Sequence, residues 1–339
     1  MEATDHEDRN NVNPHNSSAG RLVIPPIYCP PPVRIDEALG NLVNDLLLPW
    51  VERMGIFPGQ LERVRASNFG RFAMLCHADT DNPDRLLLSA TCIAALFAVD
   101  DHYCDDERCG SNPRLLGPRL SLALAALEPA HLTPAYAQEL AQALEKDPVL
   151  RGLRGYMQHL ARYATPAQMA RARQEVVAMF VTMGAEATWR IEHAGPMLWE
   201  YLAHRQVNSF LPCMALIDVV GGYELDANVY SCPSVRRVTC LAASATIIAN
   251  DLYSAPKESV PEIGDFNLPL LLAKEHTCTL QEAMWLTAAV HDDIVRAYEA
   301  EEHQLLQEAT PVLKRFLAGV KAWLGGSNEW HRHSGRYQN

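Results

Sequence analysis

From about residue 35 onward, apolar positions recur at the three- and four-residue intervals of a helix, with breaks at Gly and Pro. No stretch alternates apolar and polar residues as a half-buried strand would, and no hairpin signal is present. The pattern predicts an all-α fold. Its clearest element starts at Asp81 or Asn82, either of which can cap a helix, and carries Pro83 in the first turn, where a missing N–H is harmless. It stays apolar almost all round from Leu86 to Val99, and a helix apolar on every side is a buried one. Further helices are predicted near residues 36–54, 60–77, 134–145, 166–193, 196–220, 235–254, 280–305 and 310–324. No internal repeat or linker separates them, so residues 35–339 read as one domain. Ahead of it, residues 1–20 hold too few apolar side chains to offset the entropy of ordering and read as a disordered tail. Residues 21–34, with Pro25, Pro26, Pro30, Pro31 and Pro32, read as an extended strap.

Composition narrows the chemistry. The chain has 339 residues, 48% of them hydrophobic, enough to bury a sizeable core. Its net charge of -12 argues against a general nucleic-acid binder, whose affinity comes from Lys and Arg neutralising phosphates. An anionic ligand would have to be held locally, by metal or by a few placed cations. Nine cysteines without a C-x-x-C pair suggest neither a disulfide framework nor a zinc site and fit a reducing cytoplasm. The first residues are acidic and polar, unlike a secretory signal, and no run of about 20 uninterrupted apolar residues is available to span a bilayer.

Two acidic clusters each close a long apolar run. The first is Asp100-Asp101-His102-Tyr103-Cys104-Asp105-Asp106-Glu107, which follows Val99. Asp101 and Asp105 are four apart, so on a continuing helix their carboxylates share a face and repel unless a cation joins them. In the second, Asn250, Ser254 and Glu258 follow the run Leu241 to Ala249 at i, i+4 and i+8, giving one face of amide, hydroxyl and carboxylate oxygens. Pro256 should bend the helix before Glu258. Hard divalent cations take oxygen ligands, and magnesium shares a few protein oxygens with a phosphorylated substrate. An acidic cluster of this kind, taken alone, is more often a solvated charged face. The second cluster is what turns the pair towards a metal–diphosphate site.

With both clusters in hand, the chain resembles a class I terpene synthase of the bacterial type. The first cluster is similar to that family's aspartate-rich motif, and Asn250-Asp251-Leu252-Tyr253-Ser254-Ala255-Pro256-Lys257-Glu258 fills every defined position of its NDxxSxx(R/K)E motif. Arg205, upstream, stands where the family carries a diphosphate-sensing arginine, and Arg336-Tyr337 resembles its terminal Arg-Tyr pair. The resemblance implies a single helical bundle around a central apolar cavity and three Mg²⁺ ions. Asp100, with Asp101 or Asp105, would bind two, and Asn250, Ser254 and Glu258 the third. Arg205, Lys257, Arg336 and Tyr337 would hold the diphosphate of a small allylic substrate. Loss of diphosphate leaves a carbocation, and Phe97 and Trp330 are the candidate aromatic faces for it. Ser209 lies near the helix break that the family uses to trigger ionisation, although the family's Asp-Gly pair is replaced here by Asn208-Ser209.

Tyr28 to Pro32, Asp100 to Cys104, His204 to Met214 and Asn250 to Ser254 carry a narrower resemblance, to members that close a bornane skeleton from a methylated geranyl diphosphate. Water capture or proton loss at the end of that reaction both stay open, as do cyclisation of geranyl or farnesyl diphosphate and a homodimer. A chain-elongating prenyltransferase would need a second aspartate-rich DDxxD motif, which the Asn/Ser/Glu cluster is not. His291-Asp292-Asp293 lacks the partners of a phosphohydrolase and reads as a polar patch on a surface helix. An acidic helical scaffold that binds partners through apolar faces is the non-enzymatic alternative.

Overall fold

The computed structural model describes residues 22–105, 112–192, 194–258 and 266–337, the side chains of Asp105, Lys257 and Glu258 excepted. The expected tail of residues 1–20 lies outside these, as do Asp106 and Glu107. Among the described residues there is no strand. Helix α1 (Glu37–Met54) opens on Asp36, whose carboxylate accepts from the Leu39 N–H, and closes on Gly55 in the left-handed region that glycine tolerates. Residues 60–77 form two helices instead of one, α2 (Leu61–Ser67) and α3 (Phe69–Cys76). Asn68, at φ 51, ends the first and caps the second through the Arg71 N–H. Helix α4 (Pro83–Val99) starts on the Asn82 cap as expected and runs straight into a π-helical turn, Asp100–Asp105. The first acidic cluster therefore does not continue an α-helix. The wider π turn changes which carboxylates share a face.

Helices α5 (Pro113–Leu127), α6 (Pro134–Lys146), α7 (Pro148–Leu160) and α8 (Pro166–Glu192) all open on Pro, which is preorganised for a first turn. The stretch 196–220 is not one helix but three pieces, α9 (Leu198–Val207), α10 (Leu211–Met214) and α11 (Ile217–Gly221), broken at Asn208-Ser209-Phe210 and again at Ala215-Leu216. After the short α12 (Ala227–Tyr230) comes α13 (Pro233–Glu258), which carries Pro256 inside it and runs on to Glu258. Helices α14 (Leu268–His276), α15 (Leu280–Leu306) and α16 (Pro311–His333) complete the chain. The last runs past 324, through Gly325 and Gly326. A Cβ on Gly325 would stand 2.5 Å from the Pro31 carbonyl oxygen, and one on Gly326 2.7 Å from that of Leu75. These glycines serve close packing and do not mark a helix end.

Helix α4 is the central post, flanked by α1, α3 and α7, while α13 packs on α15 and α16. Pro83–Cys104 is long and apolar enough to cross a membrane by length and composition, but 72% of its most apolar window is buried inside the bundle. The proline strap, residues 22–34, carries no regular element. It crosses α15: the Gln281 side chain bonds both the N–H and the carbonyl of Val23, and the Tyr28 N–H donates to Asp292 at 2.7 Å. Leu22, Ile24 and Ile27 pack on Leu252, Met284 and Ala288. In the His291-Asp292-Asp293 run, Asp292 anchors the strap, Asp293 pairs with Arg296 at 3.0 Å, and His291 is buried instead of lying on the surface.

Candidate active site

A cavity of about 500 Å³, its open mouth included, lies between α4, α8, the α9–α10 break and α13. Its wall is apolar, with Ile93, Leu96, Phe97, Met179, Phe210 and Ile247, and its mouth brings Asp100, Arg205, Asn208 and Asn250 together. The two acidic clusters, 150 residues apart in sequence, thus contribute Asp100 and Asn250 to one opening.

Each cluster has an arginine beside its second residue. Arg205, on α9, donates through Nε (3.1 Å) and Nη2 (2.7 Å) to Asp251, which also accepts from the Tyr201 hydroxyl at 2.8 Å and from the Leu268 N–H at 3.3 Å. Tyr201 and Arg205 are one turn apart on α9 and so reach the same carboxylate. Arg205 also donates to Asn250 Oδ1 at 3.3 Å and to the Asn208 carbonyl at 3.1 Å, which ties it to the helix break. The Asn208 amide is itself held at 2.6 Å by Glu186, which pairs with His204 at 2.8 Å. Arg336, in the segment after α16, grips both oxygens of Asp101 at 2.8 and 3.3 Å and lies 4.1 Å over the Phe97 ring. Burial works against the charge on Arg205 and Arg336, but Asp251 and Asp101 more than offset it and hold both above the ordinary arginine value.

Behind Asn250 stands an aromatic group. The Asn250 Nδ2 lies 2.6 Å from the Tyr337 hydroxyl and 3.1 Å from His331 Nε2, and the His331 ring stacks on Tyr253 at 25°. Burial lowers His331 to about 4, with Arg336 adding to the effect and the bond to the Ser327 carbonyl opposing it, so the ring is neutral near pH 7.

The sequence-predicted residues divide accordingly. Asp100, Asn250, Arg205 and Phe97 line the cavity, while Arg336 and Tyr337 reach the lips through Asp101 and Asn250. Ser254 lies one turn beyond Asn250, nearly buried, 3.4 Å from the Asp251 carbonyl. Trp330 does not line the cavity: it is 1% exposed, stacked on Phe72 at 4.2 Å, with its N–H on the Ser67 carbonyl. The extension of α16 past Gly325 turns it inward. Asp105, Lys257 and Glu258 have no described side chains. Sequence reasoning missed Phe210, which supplies the second aromatic wall from the helix break, as well as Tyr201, Asp251 as an arginine partner, and His331. The i, i+4 spacing of Tyr201 and Arg205 was the one signal that could have pointed to a shared acidic partner.

All-helical architecture, an apolar cavity and an oxygen-rich mouth with paired arginines define a cyclase-like site for an anionic, apolar-tailed ligand. The family described as terpene synthase family 2, C-terminal metal binding, matches residues 91–317, and the chain belongs to it. It is an enzyme acting on a diphosphate substrate, and the scaffold reading falls. The chain is similar to the 2-methylisoborneol synthase of Streptomyces ambofaciens, 37% identical over 94% of this chain and 72% of that one. It is 33% identical to that of Saccharopolyspora erythraea over 92% of this chain and 89% of that one. Among solved structures, 2-methylisoborneol synthase from Streptomyces coelicolor A3(2) in complex with Mg²⁺ and 2-fluoroneryl diphosphate superposes with a TM-score of 0.88 at 35% identity, covering 94% of this chain and 98% of that one.

Proposed function

We propose that the protein is a Mg²⁺-dependent cyclase that ionises (E)-2-methylgeranyl diphosphate and closes a bornane skeleton, releasing diphosphate. The product is 2-methylisoborneol if water captures the final cation and 2-methylenebornane if a proton leaves. The carrying observation is the meeting of Asp100 and Asn250, from separate helices, with Arg205 at the mouth of one aromatic-walled cavity. The donors there are hard oxygens, the set magnesium takes. Asp100, with Asp105 or Asp101, and the trio Asn250, Ser254 and Glu258 are the proposed ligands for three ions, and Arg205, Lys257, Arg336 and Tyr337 the proposed diphosphate partners.

Bound magnesium would neutralise charge developing on the leaving diphosphate. Arg205 acts at the same moment: among the described residues four of its five N–H groups are bonded to protein, which leaves one for the anion. As the C–O bond breaks, its electron pair leaves with diphosphate, and the allylic cation is confined between Phe97, Phe210 and aliphatic walls. Ring faces stabilise positive charge, and the apolar lining keeps water away until closure. The names of the similar proteins support the methylated C₁₀ substrate. Free thiols at every described cysteine support a reducing, cytoplasmic setting, and a homodimer belongs to the same reading.

The test is headspace gas chromatography with mass spectrometry on purified protein, Mg²⁺ and, separately, geranyl, 2-methylgeranyl and farnesyl diphosphates. An eleven-carbon bornane from the methylated substrate is the expected outcome, and turnover of farnesyl diphosphate alone would make the enzyme a sesquiterpene cyclase. Asp100→Ala and Asn250→Ala should each abolish turnover while leaving the far-UV circular dichroism unchanged. A wild-type rate in either would remove that residue from the ligand set.

A further inference from the structure

We propose that His331 is a positioning residue that turns the Asn250 side chain so that its oxygen, and not its nitrogen, faces the metal side of the cavity. This rests on the reading of Asn250 as a magnesium ligand. His331 is 2% exposed on α16, directly behind Asn250 as seen from the cavity lip. Its Nδ1 lies 2.7 Å from the Ser327 carbonyl oxygen, an atom that can only accept, so Nδ1 carries the ring hydrogen. In the neutral ring Nε2 is then a bare acceptor. It faces the Asn250 side chain at 3.1 Å, and only the NH₂ end of the amide can satisfy it. Turned over, the amide would set oxygen lone pairs against the Nε2 lone pair.

The other neighbours of the amide agree with this choice. Tyr337 approaches the same Nδ2 at 2.6 Å, from the short segment after α16. Arg205, a pure donor, bonds Oδ1 at 3.3 Å and so agrees with the orientation, but it does so from the cavity side, where a diphosphate competes for the guanidinium. His331 is therefore the partner that both commits the amide and stays behind it when the site fills. A hard cation needs the carbonyl end of asparagine, because the NH₂ end offers it no lone pair. Partners one shell behind a ligand typically change metal affinity or activity by about 10–100-fold.

The experiment is isothermal titration of Mg²⁺ into protein saturated with inorganic diphosphate, with thermal melts in parallel, for wild type, His331→Phe, His331→Gln and Asn250→Ala. Phenylalanine keeps the ring against Tyr253 and lacks the acceptor; glutamine gives up the ring and reaches with Oε1 to about the place of Nε2. His331→Phe should weaken Mg²⁺ binding roughly 10–100-fold with a melt close to wild type, and His331→Gln should recover most of it. Wild-type Mg²⁺ binding in His331→Phe, alongside a loss in Asn250→Ala, overturns the proposal and leaves the ligand reading standing. Wild-type binding in Asn250→Ala overturns the ligand reading itself. If the phenylalanine variant does not fold, His331→Met against His331→Gln carries the same test, since the two are alike in length and differ in the acceptor. Equal affinities for that pair would overturn the proposal.

Discussion

In the first lip of the cavity Asp100 lines the opening while its neighbour Asp101 is gripped by an arginine; in the second, Asn250 lines the opening while Asp251 is gripped by another. The surroundings of the two pairs differ. Asp251 is fully buried, with Arg205 on one oxygen and Tyr201 and the first N–H of α14 on the other, so it knots α9, α13 and α14 together. Asp101 keeps 13% of its side chain exposed and meets Arg336 from a short segment beyond the last helix. The same adjacent positions have been put to two uses. The second lip is a fixed wall, and the first is a latch, held by an ion pair to the segment after α16.

Cutting the fixed side should show the largest effect. Asp251→Ala takes a fully buried carboxylate from Arg205, Tyr201 and the Leu268 N–H at once and should lower unfolding free energy by about 3–5 kcal/mol in urea titrations. Asp101→Ala should lose only about 1–2 kcal/mol, because that carboxylate is partly exposed and Arg336 sits on the short segment after α16, which can turn it to the water at the cavity mouth. Equal losses would break the distinction between wall and latch. Tyr201→Phe sharpens it: one hydrogen bond to a buried carboxylate goes, at a cost of about 1.5–3 kcal/mol. A Tyr201→Phe protein as stable as wild type would mean that Arg205 and the Leu268 N–H suffice to hold Asp251. The smallest effect belongs to the ring beneath the latch. Phe97→Leu should shift the product mixture seen by gas chromatography and, in a double-mutant cycle with Arg336→Gln, show a coupling of about 0.5–1 kcal/mol. An unchanged product profile would return Phe97 to a packing role.

Much of this could be read from the chain before its fold was known, where local rules decide. Asn82-Pro83 and the continuous apolar run after it specify α4, and the spacing of Asn250 and Ser254 specifies one face of α13. The reading failed where packing overrode local preference. Gly152 and Gly155 count against a helix at α7, yet they are what lets it approach α1 and the residues after it: a Cβ on either would press on Ile56 or on the Met54 sulfur. Gly325 and Gly326 imitate a helix stop and instead admit the strap and α3, which is why α16 runs on and carries Trp330 into the core. At the site, the residues proposed to offer oxygen to a ligand were legible because motifs list them together. Those that orient them were not, since His331 meets Asn250 across 81 residues and Tyr201 meets Asp251 across 50.

The proline strap has a further consequence, in the order of synthesis. Its anchors are Gln281, Asp292 and Glu299 on α15 and the Gly325 surface of α16, separated from it by about 260–295 residues of chain. Among the described residues it leaves the ribosome first and is seated late, because the surface that receives it begins with α15 and is completed only by α16. Contacts so distant in sequence form slowly. Until they do, Leu252, next to the Asp251 knot and against which the strap's Leu22, Ile24 and Ile27 pack, stands uncovered, so a nascent chain stalled before α15 would expose an apolar stripe to chaperones.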